Sequence, residues 1–374
     1  MSLIVRLIIL IMLMIPTVTI TPIKINQKNF GVYDSTGDKI VILVLDESNK
    51  FDIFTKDINT GIETRITTDG QRKTAPVITG NFIAWKQRVA KSTLEEVVLF
   101  DLINSTKIIL SDEPVLGTGR LNLTDKWLVW NNLGSKKEDF VCAYNLLTDT
   151  KFKIFKEGDS HFYNIVVIND TIYYTKREYR LENKSNEDIV CSYNLITKEE
   201  SIICKEKSIK FYFTGKGDWL AWLDTRNGSF YDLYLYQISK GKEYLVDNPV
   251  NKPISLTMSD GYVVYSTFTG KSLGPLYELL LNSDLKPIVL LPENSFRTNL
   301  MLSNDIILWE EKTDLKKNSP KIYGILASGG IPFEISNSDK TQYLIMNKNN
   351  IVVWSENKTR YDRIEKVCKI NVTK

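Results

Sequence analysis

The chain has 374 residues, 43% hydrophobic and 11% aromatic, so it is long enough to bury a sizeable core. Its 48 basic residues nearly balance its 45 acidic residues, which leaves a formal charge of +3. This balance excludes a strongly basic nucleic-acid-binding protein and an acidic solvating tail as properties of the whole chain.

The first 21 residues differ from the rest of the chain. Arg6 supplies one positive charge, residues 7–15 are almost purely apolar, and Pro16 follows. A charged start before a short apolar run is typical of a secretory signal. Because no clear small-x-small cleavage site follows, we expect residues 1–21 to be a cleaved signal peptide or an N-terminal membrane anchor. The protein is therefore predicted to be exported, with residues 22–374 as its folded domain.

One short phrase recurs through this domain at intervals of 43 to 48 residues. Each copy has a turn residue, three or four apolar residues, and then usually Trp or Tyr. The residues at this anchor position are Ile42, Trp85, Trp130, Tyr174, Trp222, Tyr265, Trp309 and Trp354. A period of this length, filled with strand-forming residues, predicts an all-β fold, a single β-propeller with one four-stranded blade per repeat.

The second repeat illustrates the predicted blade. Residues 74–80, 81–87, 96–102 and 106–110 read as four short strands divided by turn residues. Eight copies of the first three strands are present, but only seven have a clear fourth strand. We expect Pro22–Gln27 to supply the missing strand and to close the ring, which favours eight blades over seven and leaves no unpaired edge.

Most third strands begin with an acidic residue, as at Asp188 and Asp232. We expect this carboxylate to cap the backbone amides of a neighbouring loop. Together with the anchor phrase, it resembles the TolB-like propeller repeats of exported bacterial and archaeal cell-surface proteins. The best match is Asp218–Gly241, DWLAWLDTRNGSFYDLYLYQISKG. The resemblance implies a propeller and a protein partner but no catalytic residue. WD40 repeats are the competing class, although their G-H…W-D signature does not occur.

Recognisable catalytic chemistry is sparse in the sequence. His161 is the single histidine, which excludes sites built from several histidines, and no G-x-S-x-G elbow supplies a hydrolase nucleophile. We therefore predict no catalytic residue, no metal site, no cofactor and no enzyme activity. Paired carboxylates for glycoside hydrolysis stay open, because only geometry selects a pair among 45 acids.

Four cysteines, Cys142, Cys191, Cys204 and Cys368, form no C-x-x-C pair. Cys191 and Cys204 lie in the predicted third and fourth strands of one repeat. With a two-residue turn at 197–198 they would stand opposite each other, roughly 4.5–5.5 Å apart, within disulfide reach. A Cys191–Cys204 disulfide is one possibility, and four buried free thiols are the other.

A basic or histidine residue lies near the start of each predicted first strand. The eight are Lys28, Lys73, Arg120, His161, Lys210, Lys252, Arg297 and Lys340. A ring of positive charge at the channel mouth would concentrate anionic partners. The same loops also contain acidic residues, so a mixed, solvated rim is the alternative.

Seven N-x-S/T sequons are candidate glycosylation sites in an exported protein. They lie at Asn104, Asn122, Asn169, Asn183, Asn227, Asn357 and Asn371.

Three functions fit these observations. The first is an exported scaffold in the cell envelope or outside it, which binds a protein partner, or a glycan, through its variable loops. The second is an extracellular enzyme on polysaccharide or peptide, using carboxylates at one propeller face. The third is a structural surface-layer or adhesion component. Nucleic acid is not an expected partner, and a membrane is expected only through an uncleaved N-terminal segment.

Overall fold

The computed structural model describes residues 16–46, 50–112, 117–133, 140–155, 160–180, 185–228, 230–246, 252–268, 273–292, 296–312, 320–357 and 363–373. Within these ranges the chain is all-β. Eight sheets form the eight blades of a propeller, so the prediction of eight blades rather than seven is confirmed. None of the described residues belongs to a helix of the length and apolarity needed to cross a membrane.

The strands follow one another in sequence order within each blade except the last. The first is β1 (Thr17–Pro22). Blade 1 contains β2 (Phe30–Ser35), β3 (Lys39–Leu45), β4 (Phe51–Asp57) and β5 (Glu63–Arg65). Blade 2 contains β6 (Lys73–Thr79), β7 (Phe82–Arg88), β8 (Glu95–Asp101) and β9 (Thr106–Ile109). Blade 3 contains β10 (Gly117–Thr118), β11 (Asn122–Leu123), β12 (Trp127–Leu133), β13 (Phe140–Asn145) and β14 (Thr150–Phe155). Blade 4 contains β15 (Ser160–Ile168), β16 (Thr171–Arg180), β17 (Ser185–Asn194) and β18 (Glu200–Ser208).

The second half of the ring repeats this order. Blade 5 contains β19 (Lys210–Lys216), β20 (Trp219–Asp224), β21 (Asp232–Gln237) and β22 (Lys242–Leu245). Blade 6 contains β23 (Lys252–Met258), β24 (Tyr262–Phe268), β25 (Leu273–Leu280) and β26 (Ile288–Leu291). Blade 7 contains β27 (Phe296–Ser303), β28 (Ile306–Lys312), β29 (Lys321–Leu326) and β30 (Phe333–Glu334). Blade 8 contains β31 (Thr341–Lys348), β32 (Ile351–Asn357) and β33 (Arg363–Thr373), with β1 as its outermost strand.

An N-terminal strand closes the ring, as predicted, but it lies earlier in the chain than Pro22–Gln27. The strand is Thr17–Pro22, and it pairs antiparallel with β33 from Thr17 opposite Thr373 to Pro22 opposite Cys368. Ile23 and Ile25, inside the segment expected to be a strand, instead pack into the hydrophobic cluster between blades 8 and 1. Both segments alternate apolar and polar residues, and the alternation alone did not distinguish them.

The core lies between neighbouring blades. Successive side chains of a strand point to opposite faces of the sheet, so each blade contributes to two clusters. In blade 2, Trp85 packs against Ile53 of blade 1, whereas Ala84 packs against Leu128 of blade 3. Trp130 likewise faces the preceding blade, together with Ala84. The recurring anchor therefore fills the gap to the blade before it, and this packing explains the period in the sequence.

Of the two possibilities for the cysteines, the Cys191–Cys204 disulfide does not form, and the four thiols are free. Cys204 stands opposite Val190, and Cys191 stands opposite Ile202, because irregularities shift the register between β17 and β18. The two thiols lie in different hydrophobic clusters, on opposite faces of blade 4. All four cysteines are free and buried, and burial raises the pKa of the Cys142 thiol to about 12.

The strand order defines two faces of the ring. The entry face is where each first strand begins, and it carries the loops between second and third strands and between blades. The turn face carries the tight turns between first and second strands and between third and fourth strands, such as 80–81 and 102–105. Because β1 takes the place of a fourth strand, Thr17 lies at the outer rim of the turn face, beside Thr373.

Candidate binding site in the central channel

The first strands of the blades surround a central cavity of about 1030 Å³. Residues of blades 1, 2, 3, 4, 5, 7 and 8 line it. Among the lining residues are Tyr33, Arg120, Asn131, Tyr163, Met301 and Ile345. A cavity of this size, with mixed polar and apolar walls, can hold a small molecule or a short stretch of an extended polymer.

Nearly every first strand carries a bulge where it lines the channel. The pairing of first and second strands shifts register by one residue in seven blades, for example between Tyr163 and Val166 in blade 4. At four of these bulges a residue other than Gly has a positive φ: Ala75, Asn164, Tyr212 and Asn299. Bulges redirect side chains and are over-represented beside functional sites. The bulges thus shape the wall of the cavity.

Blade 3 departs furthest from this pattern, because its first strand is split into β10 and β11. At the break, the Asn131 side chain of the second strand packs against Gly119: a Cβ on Gly119 would come within 1.6 Å of its Oδ1 atom, so a larger residue there would displace Asn131. The next residue, Arg120, is exposed and lines the cavity. None of the described residues forms an ion pair with its guanidinium group. Arg120 is therefore a positive charge at the channel wall with no acidic partner in the part of the chain that the structure describes.

Aromatic and amide groups neighbour Arg120 on this side of the channel. Tyr163 on blade 4 lines the cavity and remains partly exposed, and the Arg177 guanidinium lies 4.8 Å from its ring centroid. Arg177 is itself fixed by two hydrogen bonds to Asp188, of 2.6 and 2.9 Å. The Nδ2 group of Asn164 donates to the hydroxyl of Thr175. Blades 3 and 4 thus give the channel one polar, aromatic and positively charged wall.

The opposite side of the channel carries apolar and polar side chains together. Met301 of blade 7 and Ile345 and Met346 of blade 8 line the cavity across from blades 3 and 4, and Lys348 and Glu365 of blade 8 line it beside them. In a ring of eight blades, blades 7 and 8 stand opposite blades 3 and 4. The channel can therefore offer a ligand apolar contacts as well as polar ones.

Two carboxylates also line the cavity, but both have structural partners. Asp34 accepts hydrogen bonds from the Lys348 ammonium group and from the backbone N–H of Ile78. Glu365 accepts a hydrogen bond from the backbone N–H of Val32, 3.0 Å away. These contacts tie blades 1, 2 and 8 together. The geometry assigns both acids to bracing rather than to a free catalytic pair.

The predicted ring of positive charge does not assemble at the channel mouth. Lys73, Lys210 and Arg297 are buried between blades. On the second strand, each pairs with the residue two positions after the anchor of its blade. These partners are Gln87, Asp224 and Glu311. These three side chains are internal parts of the blade interfaces, and an anionic partner cannot reach them.

Lys210 illustrates the arrangement. Its Nζ atom donates to the backbone carbonyl oxygens of Asp188 and Glu206 and to the hydroxyl of Ser208, at 2.7, 2.6 and 2.9 Å. It also lies 3.6 Å from the Asp224 carboxylate. Asp188 and Glu206 belong to blade 4, whereas Lys210 and Asp224 belong to blade 5. A charge buried this way needs every one of these partners, so the network fixes how the two blades meet.

The sequence did not lead us to expect a role for the residue two positions after the anchor, which is Asp224 in blade 5. In blade 5 the Trp222 indole N–H donates to Asp224 over 3.0 Å, and Arg226 donates to the same carboxylate. Burial raises the pKa of Asp224, but hydrogen bonds from Arg226 and Ser208 outweigh it, and the pKa lies below its usual value. The same indole contact recurs at Gln87, Glu311 and Glu356. A W-x-[DEQ] pattern was visible in the sequence and would have identified it.

The acidic residue at the start of the third strand belongs to the same interfaces, where Asp188 caps a backbone amide as expected and Asp232 instead binds a lysine. Asp232 accepts from the Nζ atom of Lys252 over 3.0 Å, which links blade 5 to blade 6. Asp188 accepts from the backbone N–H of Lys210, which links blade 4 to blade 5. These carboxylates join the third strand of one blade to the first strand of the next.

The remaining predicted site residues are scattered. Lys28 is exposed before β2, and the Lys340 ammonium lies 3.9 Å from Glu356. His161 lies in β15, where its backbone is paired with that of Arg177 in β16. The side chain of His161 lies outside the described part of the structure. In the described ranges, no group of three or more His, Cys, Asp or Glu side chains is placed to hold a metal ion.

The sequons occupy several different places. Asn104 and Asn169 are exposed on the turn face, Asn227 is exposed on the entry face, and Asn371 is exposed on β33. Asn122 instead lines the central cavity, and Asn357 is half-buried at the end of β32. Asn183 lies outside the described residues. Glycosylation stays a prediction, which the exposed positions fit best.

No protein family profile matches the sequence, and no curated protein matches it. The resemblance to TolB-like repeats is therefore not confirmed beyond the propeller itself. Solved structures do match the fold. One is the β-propeller domain of the Trilobed protease from Pyrococcus furiosus, at a TM-score of 0.57 and 12% identity, over 83% of this chain and 99% of that chain.

Two further structures extend the comparison. Dipeptidyl peptidase 4 from Porphyromonas gingivalis matches at a TM-score of 0.66 and 10% identity, over 90% of this chain and 57% of that chain. An oligogalacturonate lyase in complex with manganese matches at a TM-score of 0.51 and 11% identity, over 95% of this chain and 91% of that chain. The chain spans little more than half the length of full peptidases such as the dipeptidyl peptidase.

These structures correct one prediction. We expected no enzyme, because the sequence carries no recognisable catalytic motif, but the structures that it resembles are peptidases and a lyase. The missing motif did not justify the expectation, because this fold also occurs in enzymes. At identities near 10% the likeness shows the fold alone.

Proposed function

We propose that the protein is an exported binding module whose central channel holds the free carboxylate end of a peptide, as the ligand-binding part of a peptidase system. The observation that carries the proposal is Arg120, which lines the channel and has no acidic partner among the described residues. The N-terminal signal-like segment and the TolB-like repeats support export to the envelope, where a protein partner would dock on the loops.

The chemistry of the channel favours a carboxylate. A guanidinium group binds a carboxylate through two parallel N–H···O bonds, and such charge-assisted bonds are stronger than neutral ones. Asp34 and Glu365, the described acids in the cavity, already have partners and leave Arg120 available. A ligand carboxylate would thus meet the positive charge of Arg120 in a partly enclosed space.

The rest of the channel favours a peptide. The C-terminal residue of a peptide joins its carboxylate to a side chain of variable polarity, and Met301, Ile345 and Met346 offer that side chain apolar contacts. Asn131 and Tyr163 present polar groups that suit the amides of an extended backbone. The likeness to the propellers of peptidases supports the same class of ligand.

Calorimetric titration with a peptide panel tests the proposal. We expect peptides that end in an apolar residue with a free carboxylate to bind, and the amidated versions to bind about 10- to 100-fold more weakly, since a hydrogen bond to a charged group contributes about 1.5–3 kcal/mol. Arg120→Gln should cause the same loss, whereas Lys28→Gln, an exposed cation of the predicted ring that does not line the cavity, should cause none. Equal affinity for free and amidated peptides would contradict the proposal.

A second function, an enzyme acting on an acidic oligosaccharide, is favoured by one observation. The oligogalacturonate lyase matches this chain over 91% of its own length, so that whole protein is little larger than this propeller. A uronate would also offer Arg120 a carboxylate. Incubation with oligogalacturonates separates the two functions: cleavage products, or binding of the sugar in place of the peptide, would favour the second.

A further inference from the structure

The turns between third and fourth strands carry exposed aliphatic side chains at the outer rim of the turn face. Five of these turns have one: Ile62, Ile103, Leu147, Ile196 and Ile331 in blades 1, 2, 3, 4 and 7. These side chains are between 58% and 89% exposed. In the described parts of blades 5 and 6, the equivalent turns present polar tips such as Ser239 and Asn282.

The fold does not need these five side chains. In blades 2, 3 and 4 the residue just before the tip already fills the core: Leu102 packs between blades 1 and 2, and Leu146 and Leu195 are buried. The tips point away from that core into solvent. Single exposed aliphatic groups are common on protein surfaces, so the notable feature of these five is that they recur at one turn position of the fold.

The turns also hold these side chains in place. In blade 2 the Asp101 carboxylate accepts from the backbone N–H of Ile103, 2.8 Å away. In blade 3 the side-chain Oδ1 atom of Asn145 accepts from the backbone N–H of Leu147 over 2.9 Å, and in blade 4 the Oδ1 atom of Asn194 accepts from that of Ile196 over 2.8 Å. A side chain on a fixed backbone loses less conformational freedom on binding than one on a mobile loop.

We infer that the outer rim of the turn face rests on a lipid bilayer through these five side chains. The apolar residues 7–15 lead through Pro16 into Thr17, which lies at this same rim, so a retained N-terminal segment would enter a membrane from this face. The tips stand on separate blades around the ring. Such a spread suits a broad, deformable apolar phase better than one pocket of a protein.

The charges near these turns give the contact its character. Lys126 pairs with Asp170 over 2.6 Å, and Lys286 pairs with Asp284 over 3.0 Å, all of them in turns of this face. Lys126 and Lys286 therefore add little attraction to anionic lipid, whereas exposed Lys198 and Lys240 have no acidic partner among the described residues. Apolar burial should thus supply the main part of the bilayer contact and these two lysines a smaller part. We therefore expect binding to neutral phosphatidylcholine with little dependence on salt. The entry face and its loops would then point away from the membrane, open to ligands and partners.

The test uses the full chain in phosphatidylcholine nanodiscs, with methyl-labelled Ile and Leu and a spin label on the lipid chains. We expect loss of the methyl signals of Ile103, Leu147 and Ile196, with the Ile209 signal retained. Ile209 is a matched control, because it is an exposed isoleucine at the entry face.

The inference would be overturned by failure of the full chain to associate with the nanodiscs, by retained signals at all five tips, by loss at Ile209 as strong as at the tips, or by shielding of the tips only by envelope proteins. The last outcome would assign the rim to a protein partner. A glycan found on Asn104 of the native protein would also overturn it, because it would hold this rim away from lipid.

Discussion

Replacing Lys210 with methionine distinguishes a buried brace from a ligand-binding cation at the channel mouth. Methionine keeps most of the side-chain length but removes the ammonium group. The carbonyl oxygens of Asp188 and Glu206 lose their donor, and the Asp224 carboxylate loses a positive charge 3.6 Å away. Breaking a buried ion pair from one side costs about 3–5 kcal/mol. We expect Lys210→Met to lower the free energy of unfolding by about that amount.

Urea unfolding, followed by tryptophan fluorescence, measures this loss. With an m-value of about 3 kcal/mol/M, the midpoint should fall by about 1 M or more. The matched control is Lys252→Met, at a related position in blade 6, where the ammonium is partly exposed and 3.0 Å from Asp232. An exposed pair contributes about 0–1 kcal/mol, so the control should change the midpoint little. Similar midpoints for the two variants would refute the bracing role.

Two further predictions concern closure and pH. A chain that starts at Ile23 lacks Thr17–Pro22 and leaves the β33 edge unpaired, so it should have a lower melting temperature and aggregate in size-exclusion chromatography. The control is a chain that starts at Pro16, which keeps β1 and should do neither. Equal behaviour of the two chains would show that β1 does not close the ring. The pKa of Asp224 is lower in the folded state than the value of about 3.9 in an unfolded chain, so its stabilisation is present above that value and is lost as the pH falls through the folded pKa. Acid titration of unfolding should therefore show a shallower loss of stability below about pH 4 for Asp224→Asn than for the parent protein, and parallel curves would contradict this assignment.

The sequence predicted the fold because the blade interfaces impose a strict pattern. Each anchor, such as Trp85 or Trp130, must fill the gap to the preceding blade, so a large apolar residue returns once per blade. The closing strand was misplaced because TVTITP and PIKINQ alternate equally well, and the first lies inside the segment assigned to the signal. The choice between them depends on pairing with β33, some 350 residues away, which local periodicity does not reveal.

The site was harder to predict, for a reason of register. A bulge of one residue turns a side chain to the other face of a strand. Such bulges occur in most first strands, and a related shift in β17 and β18 separates Cys191 from Cys204. The basic residues were also grouped across different register positions: Lys73 and Lys210 stand opposite the second residue after the anchor, where blade 3 has Thr118, and exposed Arg120 lies two residues further on. Whether a ligand can reach one of these residues depends on whether its side chain points into the cavity or into the interface between blades, not on its charge.

The pairing of β1 with β33 also dictates the order of assembly. In an unfolded chain, bringing these two ends together would cost about 5 kcal/mol of loop-closure entropy. The other described pairings within a blade cost less, because they join strands that are close in sequence. Once blades 1 to 7 have stacked, the ring itself holds the two ends close, and the remaining cost is small. Blade 8 should thus be completed last, so the strand that is synthesised first waits longest for its partner and sets the rate at which the native ring appears.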